Sequence, residues 1–446
     1  MNDKPTPPTL DPSAALAAPV PAPDFAAFVG IDWADEKHTV CIQKAGSTAV
    51  KQQQVAQTPQ ALSQWCNSLI AEFPNQKLAI IIEGNRSGLI YHLLAYPAFV
   101  IYPINPKSAA KYREAIYPNG SKSDPLDADL LLDYLIHHRD RLRAWVPDTV
   151  QTRTLGQMAE DRRTLVDSRT GLLNTLTSRL KLVFPQVLEL FDNIGLPMIA
   201  AFLGKWPSLS KLQKARPAQL RAFFYAHNSR SEELIQKRLE LIAQATPLTE
   251  DVATLTTATM MIEALVLQLT KLHQIIAGYD KQLMELTRSH ALAPIFESLP
   301  GAGKVMVPRL ISALGTQPER WSEAYDLLCF SGVAPVEISS GKQYTVAWRW
   351  NCPRFFRQTF VEFAGCSLKV CAWARAYYDD QKAKGKEHHK AIRALAFKWI
   401  RIIWKCWKDQ VPYNELTYLN ALKKKNSPLL SKLNKPENTP IISTSA

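Results

Sequence analysis

The chain lacks a run of about 18 apolar residues, a Cys-x-x-Cys pair, and histidines at metal-ligand spacing. On this reading it has no membrane span and no structural zinc, and no basic-then-apolar leader is visible at its start. Its 7 cysteines, Cys41, Cys66, Cys329, Cys352, Cys366, Cys371 and Cys406, are scattered, as expected of a protein kept reduced in the cytosol. A Walker phosphate loop is missing too: in Gly301-Ala302-Gly303-Lys304 the glycine gap is too short and no Ser or Thr follows the lysine. Acidic residues are scarce at one end. From Gly341 to Ala446 there are 20 Lys and Arg against 7 Asp and Glu, a surplus of 13 that equals the +13 of the whole 446-residue chain. A basic, aromatic-rich end points to a polyanionic partner, against the plainer reading of a basic surface.

With 46% hydrophobic and 21% charged residues, most of the chain has the composition of a folded protein, and its length allows two or three domains. Residues 1–24 hold 7 prolines among Ala, Thr and Ser and read as a disordered tail, as do the basic residues 421–446. Residues 25–146 alternate strand and helix signals. Strands are expected at Ala26–Asp32, His38–Gln43, Val50–Val55, Lys77–Glu83 and Phe99–Ile104, and helices at Thr58–Phe73, Ser87–Ala95 and after Asn105 and Asp124. The near-continuous apolar run before Glu83 suits a strand buried on both faces. Strand signals vanish over residues 147–292, where apolar residues recur at three- and four-residue steps, as in long paired helices. A third unit is expected over residues 293–420. Its opening Gly301-Ala302-Gly303-Lys304 turn is read either as a backbone cradle for phosphate or as a corner between two helices.

Four carboxylates stand out. Asp32 closes the first apolar strand and Glu83 the most hydrophobic one, where a charge is costly without compensation. Asp124 and Asp127 lie three apart in Lys122-Ser123-Asp124-Pro125-Leu126-Asp127-Ala128, on one face of a helix that Pro125 helps to start. Converging, they would suit hard divalent cations and phosphodiester chemistry. Separately, Asp124 is an N-cap, Asp127 a first-turn acid and the other two are strand ends. Asp35, Glu36 and Asp129 read as solvated.

These residues resemble the DEDD transposases of the insertion-sequence "one-ten" type, also described as bridge-RNA-guided recombinases. The resemblance rests on Gly30-Ile31-Asp32, Ile82-Glu83, Asn105-Pro106, the segment Lys122 to Ala128, Leu299-Pro300-Gly301-Ala302-Gly303, Phe330-Ser331-Gly332-Val333-Ala334-Pro335 and Ser339-Ser340-Gly341. It runs in the family's order from about Phe25 to Tyr418. It departs from the family where Lys342-Gln343-Tyr344 follows Ser340-Gly341 and where Trp350-Asn351-Cys352-Pro353-Arg354 replaces a Lys/Gly-rich turn.

The resemblance implies an α/β RNase H-like (RuvC-like) N-terminal domain, a long α-helical or coiled-coil middle and a mainly α-helical C-terminal transposase domain. It implies Asp32, Glu83, Asp124 and Asp127 as catalytic ligands of Mg²⁺ or Mn²⁺ and Ser340, with Ser339 beside it, as the nucleophile. A structured guide (bridge) RNA follows from the same source, DNA is the expected substrate, and the long helices of the middle are read as the interface of a homo-oligomer, dimer or tetramer. A serine hydroxyl needs a base, a metal or a charged environment to become nucleophilic. Lys342, Arg349, Arg354 and Arg357 are expected to contact phosphates, amid aromatics suited either to stacking on bases or to the core. The function expected is an insertion-sequence recombinase that works through a phosphoserine. The alternatives are a metal-dependent junction nuclease with no covalent step and a non-catalytic nucleic-acid-binding protein.

Overall fold

The computed structural model describes residues 25–84, 88–118, 123–341 and 343–433. The expected N-terminal tail, Lys342 and the last stretch of the expected C-terminal tail lie outside them. The chain divides after Pro147 into two compact units.

The first unit is a five-stranded mixed sheet with helices on both faces. Its strands are β1 (Phe25–Asp32), β2 (Lys37–Lys44), β3 (Val50–Ala56), β4 (Lys77–Glu83) and β5 (Phe99–Ile104), in the order β3-β2-β1-β4-β5. The first three form an antiparallel meander, and β1, β4 and β5 are mutually parallel. Helices α1 (Pro59–Glu72) and α2 (Gly88–Leu94) cover one face, and α3 (Pro106–Ile116) and α4 (Asp124–His138) the other. Thr58 and Asn105 start α1 and α3 by accepting hydrogen bonds from Ala61 and Lys107, with proline in each first turn. Alternation sorts the strand residues. Ala27, Val29, Ile31, Leu78, Ile80 and Ile82 pack against α1 and α2, whereas Ala79 and Ile81 pack against α4.

Among the described residues the second unit is helical apart from one hairpin. Helices α5 (Val150–Val183) and α11 (Val252–Arg288) lie antiparallel along each other, pinned by Gln151 to Ser289 and by the Arg162–Asp280 ion pair at 2.5 Å. At their far end, α6 (Gln186–Leu190), α7 (Pro197–Lys205), α8 (Leu209–Gln213), α9 (Pro217–Ala226) and α10 (Glu232–Gln244) enclose a core of their own that includes Phe202 and Phe224. By length and composition alone α11 is apolar enough to cross a membrane, which the sequence reading missed because threonines and a few charges interrupt the run. Here it buries Ile262, Leu265 and Leu269 in that core.

The near end of the pair joins α12 (Ala293–Glu297), α13 (Gly303–Leu314), α14 (Ala324–Phe330), α15 (Arg354–Ser367), α16 (Ala372–Ala383) and α17 (His388–Asp409) in one core. The unit expected to begin near residue 293 thus shares its core with Leu155, Ala159 and Leu283 of the long pair. Gly315, at φ +72, ends α13 where a Cβ would come within 2.1 Å of Asp148. Trp407 Nε1 donates to its carbonyl at 2.7 Å. The tail expected from residue 421 is helical as far as Leu433, in α18 (Glu415–Lys424) and α19 (Leu429–Leu433). Leu422 and Leu429 bury themselves in the core, and Lys432 pairs with Asp380. The lysine run masked that apolar contribution.

Between α14 and α15 the chain forms a two-stranded ribbon, β6 (Val336–Ser340) and β7 (Gln343–Ala347). The sequence reading did not foresee it, because the segment is short and its alternation involves mostly exposed residues.

Candidate active site

Asp32 and Glu83 end neighbouring parallel strands, since Ile31 pairs with Ile82, and such strands run about 4.8 Å apart. Alternation puts both acids on the face covered by α4: Asp32 shares parity with Gly30, and Glu83 with Ala79 and Ile81. Gly30 fixes how close that helix comes. A Cβ there would lie 2.3 Å from the carbonyl oxygen of Ala128 and 2.6 Å from the nitrogen of Leu132, so only glycine admits α4 at this distance. Farther along, Arg139, just past the end of α4, sits over Phe25 and Phe28 at 5.2 and 5.6 Å. Helix α4 therefore runs antiparallel to β1, and its N-terminus, carrying Asp124 and Asp127, lies at the strand end that carries Asp32 and Glu83. All four acids share one edge of the first unit.

They are not equivalent there. Asp124 is exposed, whereas Asp127 is 7% exposed and 2.7 Å from Arg113 Nε of α3. That contact is one of charge without hydrogen-bond alignment, leaving Asp127 Oδ1 buried with no hydrogen-bond donor among the described residues. Arg113 is a site residue the sequence reading missed; nothing local in α3 marks it, and only the packing of α3 beside α4 brings it in. No group of three or more Asp, Glu, His or Cys side chains among the described residues is clustered closely enough to hold a metal ion. The acids share an edge without forming a ready coordination set.

Around the edge, His38 is buried, taking the N–H of Ala34 at 3.2 Å on Nδ1 and facing Gln57 through Nε2. It thereby fixes the turn that follows Asp32. Asp129, read as solvated, is half-buried, and burial followed by the charge of Asp133 raises its carboxyl pKa. Burial, then the charge of Asp129, pushes the Cys41 thiol up to about 11, so Cys41 is an inert packing residue on β2.

In the second unit, Ser340 pairs with Gln343 as the last rung of the ribbon before the turn, where Gly341 has φ +56. Ser339 pairs with Tyr344 and projects from the opposite face. Both serines are exposed, and no side chain among the described residues hydrogen-bonds the Ser340 hydroxyl. Of the expected phosphate contacts, Arg349 is turned to the ribbon's base, donating to the carbonyls of Ala334 and Pro335 at 3.3 Å. Arg357 reaches the carbonyl of Arg349 at 3.5 Å and lies over the Trp348 ring, while Arg354 is exposed. Phe360, Phe363, Trp399 and Trp407 are fully buried core residues, whereas Trp350 is 74% exposed.

The glycine motifs serve packing. Gly301, at φ +84, lies where a Cβ would meet the carbonyl of Cys366 at 2.9 Å, and Gly332, at φ +70, leaves room for the Cys352 sulfur. At Gly301 this favours the helix corner over the phosphate cradle.

Residues 29–185 match the DEDD transposase model named for IS110, and residues 293–379 match the model of the transposase IS116/IS110/IS902 family. The chain belongs to this family of transposases and is a DNA transposase or recombinase by that membership. It is 25% identical over 401 residues, 87% of this chain and 95% of the relative, to the protein named as transposase for the mini-circle IS117 of Streptomyces coelicolor. Similar relatives are the 44.8 kDa protein of insertion element IS116 from Streptomyces clavuligerus, 24% identical over 86% of this chain and 95% of its own, and the 42 kDa protein of IS900 from Mycobacterium paratuberculosis, 23% identical over 87% and 98%.

Proposed function

We propose that this protein mobilises an insertion sequence by cutting and rejoining DNA strands through a phosphoserine at Ser340, aided by the acids of the first unit. The observation that carries the reading is the gathering of Asp32, Glu83, Asp124 and Asp127 at one sheet edge through the Gly30–Ala128 contact. The strand order, with an antiparallel meander leading into two parallel strands, supports an RNase H-like first unit. The donors are all carboxylates, which suits a hard divalent cation such as Mg²⁺ or Mn²⁺. Bound there, such an ion would supply charge stabilisation to a phosphodiester in reaction.

The chain's own residues do the rest. Arg113 holds Asp127 in place through their ion pair. Ser340, exposed at a ribbon tip, presents its hydroxyl to a DNA backbone. Its Oγ attacks phosphorus, its proton passes to a base, and one DNA oxygen leaves as the serine–phosphate bond forms. A DNA hydroxyl then attacks the same phosphorus, joining strands and restoring the serine. No side chain among the described residues hydrogen-bonds the Ser340 hydroxyl, and we place the activating base or metal in the acid edge of the first unit. A structured guide RNA carries over from the family resemblance, and the long helices of the second unit suit the interface of a homo-oligomer.

The test is a cleavage assay with Mg²⁺, element-end DNA and the RNA encoded beside the gene, comparing wild type with Ser340→Ala. A covalent protein–DNA adduct formed by wild type and by Ser339→Ala, and absent from Ser340→Ala, is expected. Cleavage that survives Ser340→Ala with no adduct in any form would overturn the phosphoserine route and leave a hydrolytic nuclease.

A further inference from the structure

The ribbon's base contains an arrangement that the acid edge and Ser340 do not use. Trp348 follows β7 directly, and two guanidiniums approach its indole: Arg393 of α17 at 3.8 Å from the ring centre and Arg357 of α15 at 5.2 Å. A tryptophan face attracts a cation, but two cations on one ring repel each other. Among the described residues neither arginine meets a carboxylate within ion-pair distance, whereas Arg113, Arg162, Arg163 and Arg309 all have acidic partners. The Trp348 Nε1 is buried without a hydrogen-bond partner among the described residues. Burial, then the charge of Arg357, lowers the Arg393 guanidinium pKa from its ordinary value. Two half-buried cations sharing a platform with no acid form a site of uncompensated positive charge, held by three separate segments of the fold.

We propose that Arg357 and Arg393, aligned on Trp348, clamp one phosphodiester group of the DNA strand that Ser340 cuts. Guanidinium forks match phosphate oxygens in geometry and charge. An anion between the two removes the repulsion that their shared indole imposes. Ser340 lies opposite Gln343 at the ribbon tip, five residues before Trp348, about 17 Å of extended strand, so the clamped phosphate lies a few nucleotides from the scissile one. The pair is thus a positioning device that sets where along the strand the ribbon tip falls. This inference rests on the DNA-cutting reading above, and it adds Arg393, which sequence inspection did not single out.

The experiment uses the full-length protein and a fluorescein-labelled mixed-sequence DNA duplex, with an RNA duplex of equal length as a second arm. Anisotropy titrations at several salt concentrations give the slope of log affinity against log salt. The Arg357→Gln/Arg393→Gln variant should bind DNA roughly tenfold more weakly, with a slope shallower by about 0.9, the loss of one neutralised phosphate. Arg393→Lys should keep the slope, and the exposed control Arg230→Gln should match wild type. Thermal melting of each variant identifies unfolding; if the double variant unfolds, Arg357→Gln alone reads the same slope. An unchanged DNA slope, or a change confined to the RNA arm, overturns the clamp. Wild-type protein that binds no DNA, with or without its RNA, overturns the DNA-cutting reading itself.

Discussion

The acid edge of the first unit and the serine ribbon of the second are built in opposite ways. At the edge, two half-buried strand ends and a helix are locked by a glycine whose absent side chain leaves no slack, and Arg113 holds one acid by charge. At the ribbon, the serine stands on an exposed two-stranded tip whose geometry rests on one left-handed glycine, with cations gathered at its base. A set of like charges must be positioned by packing, because the charges themselves push apart. A serine proposed to attack a DNA backbone has to stay exposed. Core packing therefore secures the first site and turn geometry the second.

The largest effect that would sharpen this contrast is on catalysis. Asp127→Asn should lower strand cleavage by at least about a hundredfold, measured on element-end DNA, while stability falls by only about 1–2 kcal/mol as the partly buried Arg113 loses its counter-charge. Cleavage close to wild type would make Asp127 a structural acid. Next comes Gly30→Ala, whose methyl group must displace the backbone of α4. It should cost about 3 kcal/mol in denaturant unfolding of the first unit, and a melting temperature equal to wild type would show that α4 yields freely. Gly341→Ala, at the ribbon turn, should cost only about 1 kcal/mol, since nothing lies within 4 Å of the added methyl. Equal penalties at the two glycines would break the comparison.

The smallest effect concerns pH. His290 accepts the N–H of Leu292 at 3.2 Å and bonds Thr152 at 2.9 Å, and burial lowers its pKa despite the nearby charge of Asp148. Burial, then the charge of Arg169, lowers that of His273 as well. The unfolded chain then binds protons that the folded one does not, so their contribution is present above the ordinary histidine value of about 6.5 and fades as pH falls below it. The second unit should melt at lower temperature at pH 5 than at pH 7, and His290→Gln should shrink that difference. An unchanged difference would place its origin elsewhere.

The strands and helices of the first unit were legible in the sequence because buried strands such as Leu78–Ile82 write an unbroken apolar run, and because Pro106 and Pro125 mark helix starts. The four acids were legible as strand ends and a first-turn pair, although their shared edge depends on how α4 lies along β1. Arg113 was not legible, since its partner is reached through packing of neighbouring helices. The ribbon escaped notice because Glu337, Ser339, Tyr344 and Val346 are all exposed, so its alternation carries no core face; Ser340-Gly341-Lys342 between two short runs was the signal available. Arg393 was hidden for a related reason, being one cation among many on α17 until Trp348 was seen to lie under it.

The central claim is that the acid edge and Ser340 serve one reaction. Capturing the covalent adduct on element-end DNA with Asp32→Asn protein tests it most directly, because that substitution leaves the ribbon untouched. The account predicts no adduct from Asp32→Asn although the protein folds and binds DNA as wild type does. An adduct formed at the wild-type rate would contradict it and leave Ser340 acting without the acids.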